Sequence, residues 1–409
     1  TEWIKRDRNR PSIILWSLGN ELQIREGWAG FEGTNDWGIT TYNIFNQLVK
    51  RWDNTRLTTV AMFPARAGAI TRHDKEFNDY LVPPELACAT EVASFNYQSD
   101  KYDAYLKYKP DLILFQSEAE TSNLLQPYYN MDRKRTVGMA YWGSAEYWGE
   151  SNKWPKKGWN YSFFDHTMRP YPQAYLIKSA FMPEIPEVHI GVVDAAGAES
   201  VSWNDVIVGR MALNECWNHT PGSRQSLFTF TNAHSVELLV NGQSMGVQEN
   251  DTTQANLRNM IYWKDVPYGN GGSVVAIARD KSGKEVARHH IETAGKAVAL
   301  RIEAETPADW KADGMDLQYI NVTAIDKKGR PVWDYNKPLT LQMEGAAWLV
   351  ALDNGDHYTD ELFHGITSKR MYQGRMQIIL RSTKTPSNVK LEISSADLKE
   401  KLSLKTSLK

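Results

Sequence analysis

The chain has 409 residues, enough for two to four domains, each with an ample core. Its 47 Lys and Arg against 49 Asp and Glu leave no net field that would mark a partner such as nucleic acid or an anionic membrane. No apolar run reaches the ~18 residues that a membrane-spanning helix needs. The two cysteines, Cys88 and Cys216, fall in different predicted domains, which argues against a disulfide, and two are too few for a cysteine-based metal site. The chain opens at Thr1 and runs into the charged TEWIKRDRNRP with no signal peptide in view, so the expectation is a piece whose front is absent.

Up to about residue 183, short apolar runs alternate with longer amphipathic stretches. Ile13 to Leu18 is the first run. Asp36 to Trp52 carries Trp37, Ile44, Phe45, Leu48 and Val49 at helical spacing. Leu57–Met62 and Val92–Phe95 read as strands, Tyr102–Tyr108 as a short helix, then Leu112–Phe115 and Val137–Trp142 as strands again. Strands alternating with helices predict a parallel sheet covered by helices, here with five strands instead of the eight of a closed barrel.

From about residue 184 the texture changes to period-two strands with tight turns, after the linker-like FMPEIPEV. Asn241-Gly242 and Ser282-Gly283 sit where hairpin turns belong, and Lys328-Gly329 repeats the logic past a second boundary near Gly295. The prediction is a multidomain chain, α/β followed by all-β. Residues 1–183 form part of a barrel, and 184–294 and 295–409 form two immunoglobulin-like β-sandwiches of about 110 residues each.

Two carboxylates stand out. Glu21 and Glu118 each follow a short apolar run, in IILWSLGNE and LILFQSEAE. A carboxylate where a buried strand ends is held rigidly at the rim of a sheet, which in a parallel barrel is where active sites are built. Two facing one cleft suit glycosidic hydrolysis, one as proton donor and one as nucleophile. The 15 Trp and 19 Tyr add flat amphipathic rings that suit sugar faces, and suit ordinary cores equally. Each Glu has a bland alternative as well: Glu21 could begin a surface loop or pair with Arg25 or Lys5. Glu120 competes with Glu118 for its role, and alternation along the strand does not choose between them.

PSIILWSLGNE resembles the acid/base segment of the family 2 glycoside hydrolases, the β-galactosidase, β-glucuronidase and β-mannosidase group. In order, DNTRLTTVAMF resembles that family's fifth barrel strand, ASFNYQSDKYDAY its sixth, LILFQSEAET its nucleophile strand and GMAYWGSAEYWGES its eighth. SVELLVNGQSMG and the run from WKADGMDLQYINVTAIDKKG to ALDNGD resemble two accessory β-sandwiches found after the barrel. The resemblance implies barrel strands four to eight, with Glu21 as general acid/base and Glu118, at the Ser-Glu position, as nucleophile. It places Asn20, Asn96, Tyr97, Trp142 and Glu146 around the sugar: Asn20 on the 2-hydroxyl, Tyr97 orienting the nucleophile, Trp142 at the base of the site and Glu146 on sugar hydroxyls.

The implied reaction is retaining hydrolysis of a terminal β-galactosyl or related residue, with no metal or cofactor and with the carboxyls about 5–5.5 Å apart. The implied partners are a glycoside or oligosaccharide and the missing N-terminal half of the same enzyme, in the periplasm or outside the cell. A chain limited to half a barrel is alternatively an incomplete catalyst that serves only to bind carbohydrate. Departures bear on the sugar. The Asn-x-Lys-Gly of glucuronidases reads Pro155-Lys156-Lys157-Gly158 here, Ser162 replaces a common glycine, and HTMRPYP departs from Gly-x-Pro-Lys. The first keeps the Lys but replaces the Asn, which weakens a β-glucuronide assignment without excluding it; the others leave the sugar open, with β-mannoside as the other alternative.

Remaining candidates read as structural. His289-His290 is expected to be a surface pair. Asp353-Asn354-Gly355-Asp356 lacks the ligand spacing of a calcium loop and reads as a turn. The sequons at Asn160, Asn218, Asn250 and Asn321 matter only in a eukaryotic secretory setting.

Overall fold

The computed structural model describes residues 1–21, 38–62, 83–97, 99–119, 125–151, 154–194, 199–203 and 206–408. Arg25, Trp37 and Glu120 lie outside them. The described chain forms two compact units. Thr1–Ser144 makes the first, with Glu199–Arg210 and Thr253–Arg258. The second comprises Ala145–Ala198, Met211–Thr252 and Asn259–Lys409. No described helix is long and apolar enough to cross a membrane.

The first unit is built on β1 (Leu15–Asn20), β2 (Leu57–Met62), β3 (Val92–Asn96), β4 (Leu114–Ala119) and β5 (Thr136–Tyr141). They pair in sequence order, every neighbouring pair parallel, as the five predicted runs require. Parallel strands cannot be joined by tight hairpins, so helices carry the crossovers: α1 (Glu2–Asp7) precedes the sheet, and α2 (Ile39–Lys50), α3 (Glu85–Ala89), α4 (Tyr102–Tyr108) and α5 (Gln126–Asn130) lie between strands. All five residues of β3 are buried, which is why it reads as a continuous run instead of an alternating one. One core joins Val60, Met62, Phe95, Tyr102, Tyr105 and Leu114.

Helix α2 forms where the helical spacing lies, yet buries little of that apolar set. Tyr42 and Val49 point inward, whereas Ile44, Phe45 and Leu48 are 52%, 40% and 44% exposed. Polar ties set this orientation: the Tyr42 hydroxyl lies 2.8 Å from Thr58 Oγ1 and accepts from the Glu91 N–H.

In the second unit, α6 (Pro172–Phe181) precedes two pairs of four-stranded antiparallel sheets. Val188–Val193, Leu213–Asn214, Arg224–Thr231 and Met260–Pro267 form one sheet, and Ser235–Val240, Gln243–Glu249, Ser273–Arg279 and Glu285–Glu292 another. A core including Trp217, Leu227, Val236, Leu238 and Trp263 unites residues of both. The Asn241-Gly242 turn is the expected hairpin: Val240 pairs with Gln243, and both turn residues take positive φ (52° and 81°). Ala299–Ala304, Leu317–Ile325, Ala347–Asp353 and Arg375–Ser382 pair as a third sheet, and Pro338–Glu344, Ser368–Arg370, Asn388–Ser395 and Leu398–Lys405 as a fourth. Their shared core includes Trp310, Ile320, Leu341, Ile378 and Leu391. A partial barrel sheet followed by immunoglobulin-like sandwiches is therefore the fold. The Glu199–Trp203 and Val206–Arg210 hairpin groups with the first unit, although it falls inside the sequence span of the first sandwich.

Candidate active site

In the first unit, β1 and β3 end in asparagines, β4 carries Ser117-Glu118 just before its last residue, and the three are tied together. Asn96, the last residue of β3, is fully buried. Its Nδ2 donates to Asn20 Oδ1 at the end of β1 over 3.1 Å, and its Oδ1 accepts from Ser117 Oγ on β4 over 2.7 Å. Both ends of the amide are thus used, as burial demands. One residue on, the Tyr97 hydroxyl donates to Glu118 Oε2 over 2.5 Å, and the Tyr97 N–H donates to the Glu118 carbonyl over 2.8 Å.

The backbone is distorted at these strand ends. Glu21 (φ 48°) and Tyr97 (φ 61°) are left-handed non-glycine residues, a conformation that costs about 1–3 kcal/mol and clusters at functional sites. Register shifts fall beside them, between Ser17 and Asn20 on β1 and between Phe95 and Asn96 on β3. Such irregularities re-aim side chains at the rim of a sheet. Glu21 is only 9% exposed, and Lys5 pairs with Glu2 at 3.0 Å. Trp142 directly follows β5, with its N–H donating to the Ala119 carbonyl. The structure therefore brings Asn20, Asn96 and Ser117 into one network and Tyr97 onto Glu118. Ser117 was missed in the sequence, where a lone Ser before a Glu carries no signal of its own.

Glu146 belongs to the second unit, in a buried cluster. Its Oε1 accepts from the Tyr171 hydroxyl (2.9 Å), and its Oε2 lies 3.0 Å from His357 Nε2 and 3.7 Å from His166 Nδ1. His166 Nε2 sits 2.8 Å from Asp353 Oδ1. Burial opposes charging of His166, but the hydrogen bond to Asp353 and the nearby Glu146 carboxylate outweigh it and raise its pKa to about 9. Asp353-Asn354-Gly355-Asp356 forms the expected turn, with Asp353 and Asn354 side chains accepting from the N–H groups of Gly355 and Asp356. Nearby, Gly158 is dictated by packing: a Cβ there would lie 2.0 Å from the Tyr147 carbonyl oxygen, across the short Tyr147–Trp148/Gly158–Trp159 ladder.

A second histidine cluster corrects the reading of His289 as a surface residue. Its ring stacks 4.0 Å from His189, which stacks 3.5 Å from Tyr175 and lies 2.8 Å from Glu215 Oε1. The Ile190 N–H donates to His289 Nδ1 over 3.0 Å. Burial and the neighbouring His189 push the His289 pKa down to about 4. Glu215 is held at about 2: burial works upward, and the His189 hydrogen bond prevails.

Comparison with known proteins agrees with this architecture. Residues 1–141 match the family 2 glycosyl hydrolase TIM-barrel domain and 300–402 the family 2 C-terminal domain 5, while 222–287 match a domain family of unknown function. A β-galactosidase of Bacteroides ovatus, BoGH2A, is 24% identical over 98% of this chain and 50% of its own. A β-glucuronidase of Formosa agariphila is 26% identical over 41% of this chain and 14% of its own. The crystal structure of a family 2 member from Bacteroides cellulosilyticus superposes with a TM-score of 0.79 at 25% identity, covering 98% of this chain and 49% of that one. The chain has the multidomain architecture of glycoside hydrolase family 2, with part of the barrel and the accessory sandwiches in order. It spans about half the length of the relatives that match it throughout.

Proposed function

We propose that the chain forms the carboxy-terminal part of a retaining exo-β-glycosidase acting by double displacement. Glu118 attacks the anomeric carbon as the glycosidic C–O bond breaks, and the Glu21 proton passes to the leaving oxygen. Water then attacks the glycosyl ester, gives its proton to Glu21 and frees Glu118 with the configuration retained. Asn20, Asn96, Tyr97 and Trp142 shape the sugar site. The observation that carries this reading is the Tyr97–Glu118 contact at the end of β4, in the same polar rim as Asn20 and Glu21. A phenol aimed at one carboxylate oxygen fixes the nucleophile's orientation before substrate arrives. The sugar-hydroxyl role that the resemblance gives Glu146 stands as a proposal beside its contacts in the second unit.

The favoured substrate is a terminal β-galactoside, in keeping with the Bacteroides ovatus relative. Pro155 in place of Asn speaks against a β-glucuronide, and β-mannoside is the other alternative. Export to the periplasm or cell exterior is proposed with it. A second reading has its own observation: β1 and β5 are the edges of an open five-stranded sheet, and a barrel site is complete only on closure. On that reading the chain binds carbohydrate without turning it over.

A panel of p-nitrophenyl β-galactoside, β-glucuronide, β-mannoside and β-glucoside tests both, with the chain alone and joined to the amino-terminal half of a relative. Turnover of one glycoside, lost in Glu118→Gln, supports the enzyme reading. Silence in both forms, with sugar binding retained, favours the second.

A further inference from the structure

We propose that Glu146, His166 and His357 form a divalent-metal site, best suited to Zn2+, that staples the segment after β5 to the last β-sandwich. The three ligand-type side chains are 1%, 4% and 3% exposed, and one ligand atom from each lies within 4.8 Å of the others. Two imidazoles and one carboxylate are a donor set that zinc favours.

Geometry separates this group from the other histidine cluster. At His289 the Nδ1 lone pair is already taken by the Ile190 N–H, and at His189 the Nε2 by Glu215. Around Glu146 three of the four ring nitrogens, His166 Nδ1 and both of His357, have no hydrogen-bond partner among the described residues. His357 Nε2 comes within 3.0 Å of Glu146 Oε2 without hydrogen-bond alignment. Tetrahedral ligands about 2.0–2.2 Å from zinc sit roughly 3.3–3.6 Å from one another. The 3.0 and 3.7 Å separations around Glu146 Oε2 bracket that range.

The surroundings match a metal site's outer layer. Asp353 accepts from the far nitrogen of His166, which turns the Nδ1 lone pair toward Glu146, and Tyr171 holds the other Glu146 oxygen. Trp148 packs 4.7 and 5.0 Å from the two imidazole rings, limiting water. Glu146 and His166 lie before the sandwiches in sequence, and His357 and Asp353 in the last one, so a bound ion would join segments remote in the chain.

The test uses the full chain, stripped with EDTA and titrated with Zn2+ and separately with Co2+. The expected result is one Zn2+ per chain, the visible absorption of tetrahedral Co2+, and a Tm raised by Zn2+. His357→Gln and His166→Gln should each lose at least ~100-fold in affinity, and Asp353→Asn ~10–100-fold, with His289→Gln unchanged. No Co2+ absorption and no Tm rise in the wild type would overturn the proposal without recourse to variants, leaving His166 as an imidazolium between carboxylates. Loss of binding in His289→Gln instead of His357→Gln would overturn it equally.

Discussion

Asn96 Nδ2 donates to Asn20 Oδ1 across 3.1 Å, although 76 positions separate the two residues. Since Asn96 also accepts from Ser117, one buried amide holds the ends of β1 and β4, and with them the residues just beyond Asn20 and Ser117, Glu21 and Glu118. Asn96→Ala removes both bonds and strands their partners. The expected cost is about 1–3 kcal/mol of stability, with kcat/KM falling at least ~10-fold because misplaced catalytic groups lose rate steeply. Denaturant midpoints together with aryl-glycoside kinetics check this. A variant with altered stability and normal kinetics would restrict Asn96 to packing.

Tyr97→Phe keeps the ring and deletes the hydroxyl on Glu118. A hydrogen bond to a charged group contributes about 1.5–3 kcal/mol, which corresponds to a roughly 10–150-fold fall in the rate of glycosyl-enzyme formation. Burst kinetics with a 2-fluoroglycoside, and mass spectrometry of the labelled peptide, would read both the rate and the site of attachment. Labelling at a residue other than Glu118 would overturn the assignment.

Asp53 anchors the start of the sheet. It accepts from Trp16 Nε1 (2.8 Å) and Arg56 Nη1 (2.7 Å), and Arg56 also donates to the carbonyls of Arg8, Arg10 and Ile13. Burial works against its charged form, but Thr55, Trp16 and Arg56 hold its pKa well below the usual carboxylate range. Its folded pKa is depressed, so the stabilisation is full above the unfolded value of ~3.9 and is lost only as pH falls further. Asp53→Ala leaves Arg56 without its carboxylate and should destabilise by about 3–5 kcal/mol at neutral pH, read as an early unfolding transition in calorimetry.

His289 governs a different pH window. Its pKa of about 4 lies below the ~6.5 of the unfolded chain, so on acidification the unfolded state takes up a proton first. Stability should therefore fall between about pH 6.5 and 4, by about 2 kcal/mol at pH 5. The charged groups facing it are His189, Glu215 and His290, with Arg375 acting on Glu215. Glu215, held at about 2, stays ionised throughout this window. Urea midpoints at pH 7.5 and 5.0 should converge in His289→Asn, whose amide oxygen can still accept from Ile190. An undiminished difference would place the acid sensitivity elsewhere.

Much of the barrel half was legible because its signals are local. Five apolar runs became five parallel strands, Tyr102–Tyr108 became a helix over the same residues, and Asn241-Gly242 turned where two positive-φ residues were needed. The facing of α2 was not legible, because the Tyr42 hydroxyl reaches Thr58 and Glu91, which the spacing of apolar residues does not register.

The order of elements, the switch from helical to period-two patterning, and two carboxylates placed at or near strand ends can all be read from residue spacing, since each depends on only a few positions. That Asn96 ties Asn20 to Ser117, that Tyr97 meets Glu118 and that His289 stacks on His189 comes from folding alone. His166 meets Asp353 across 187 positions. Such meetings depend on which segments become neighbours on folding and on which lone pairs their backbones consume. Neither has any imprint on local periodicity.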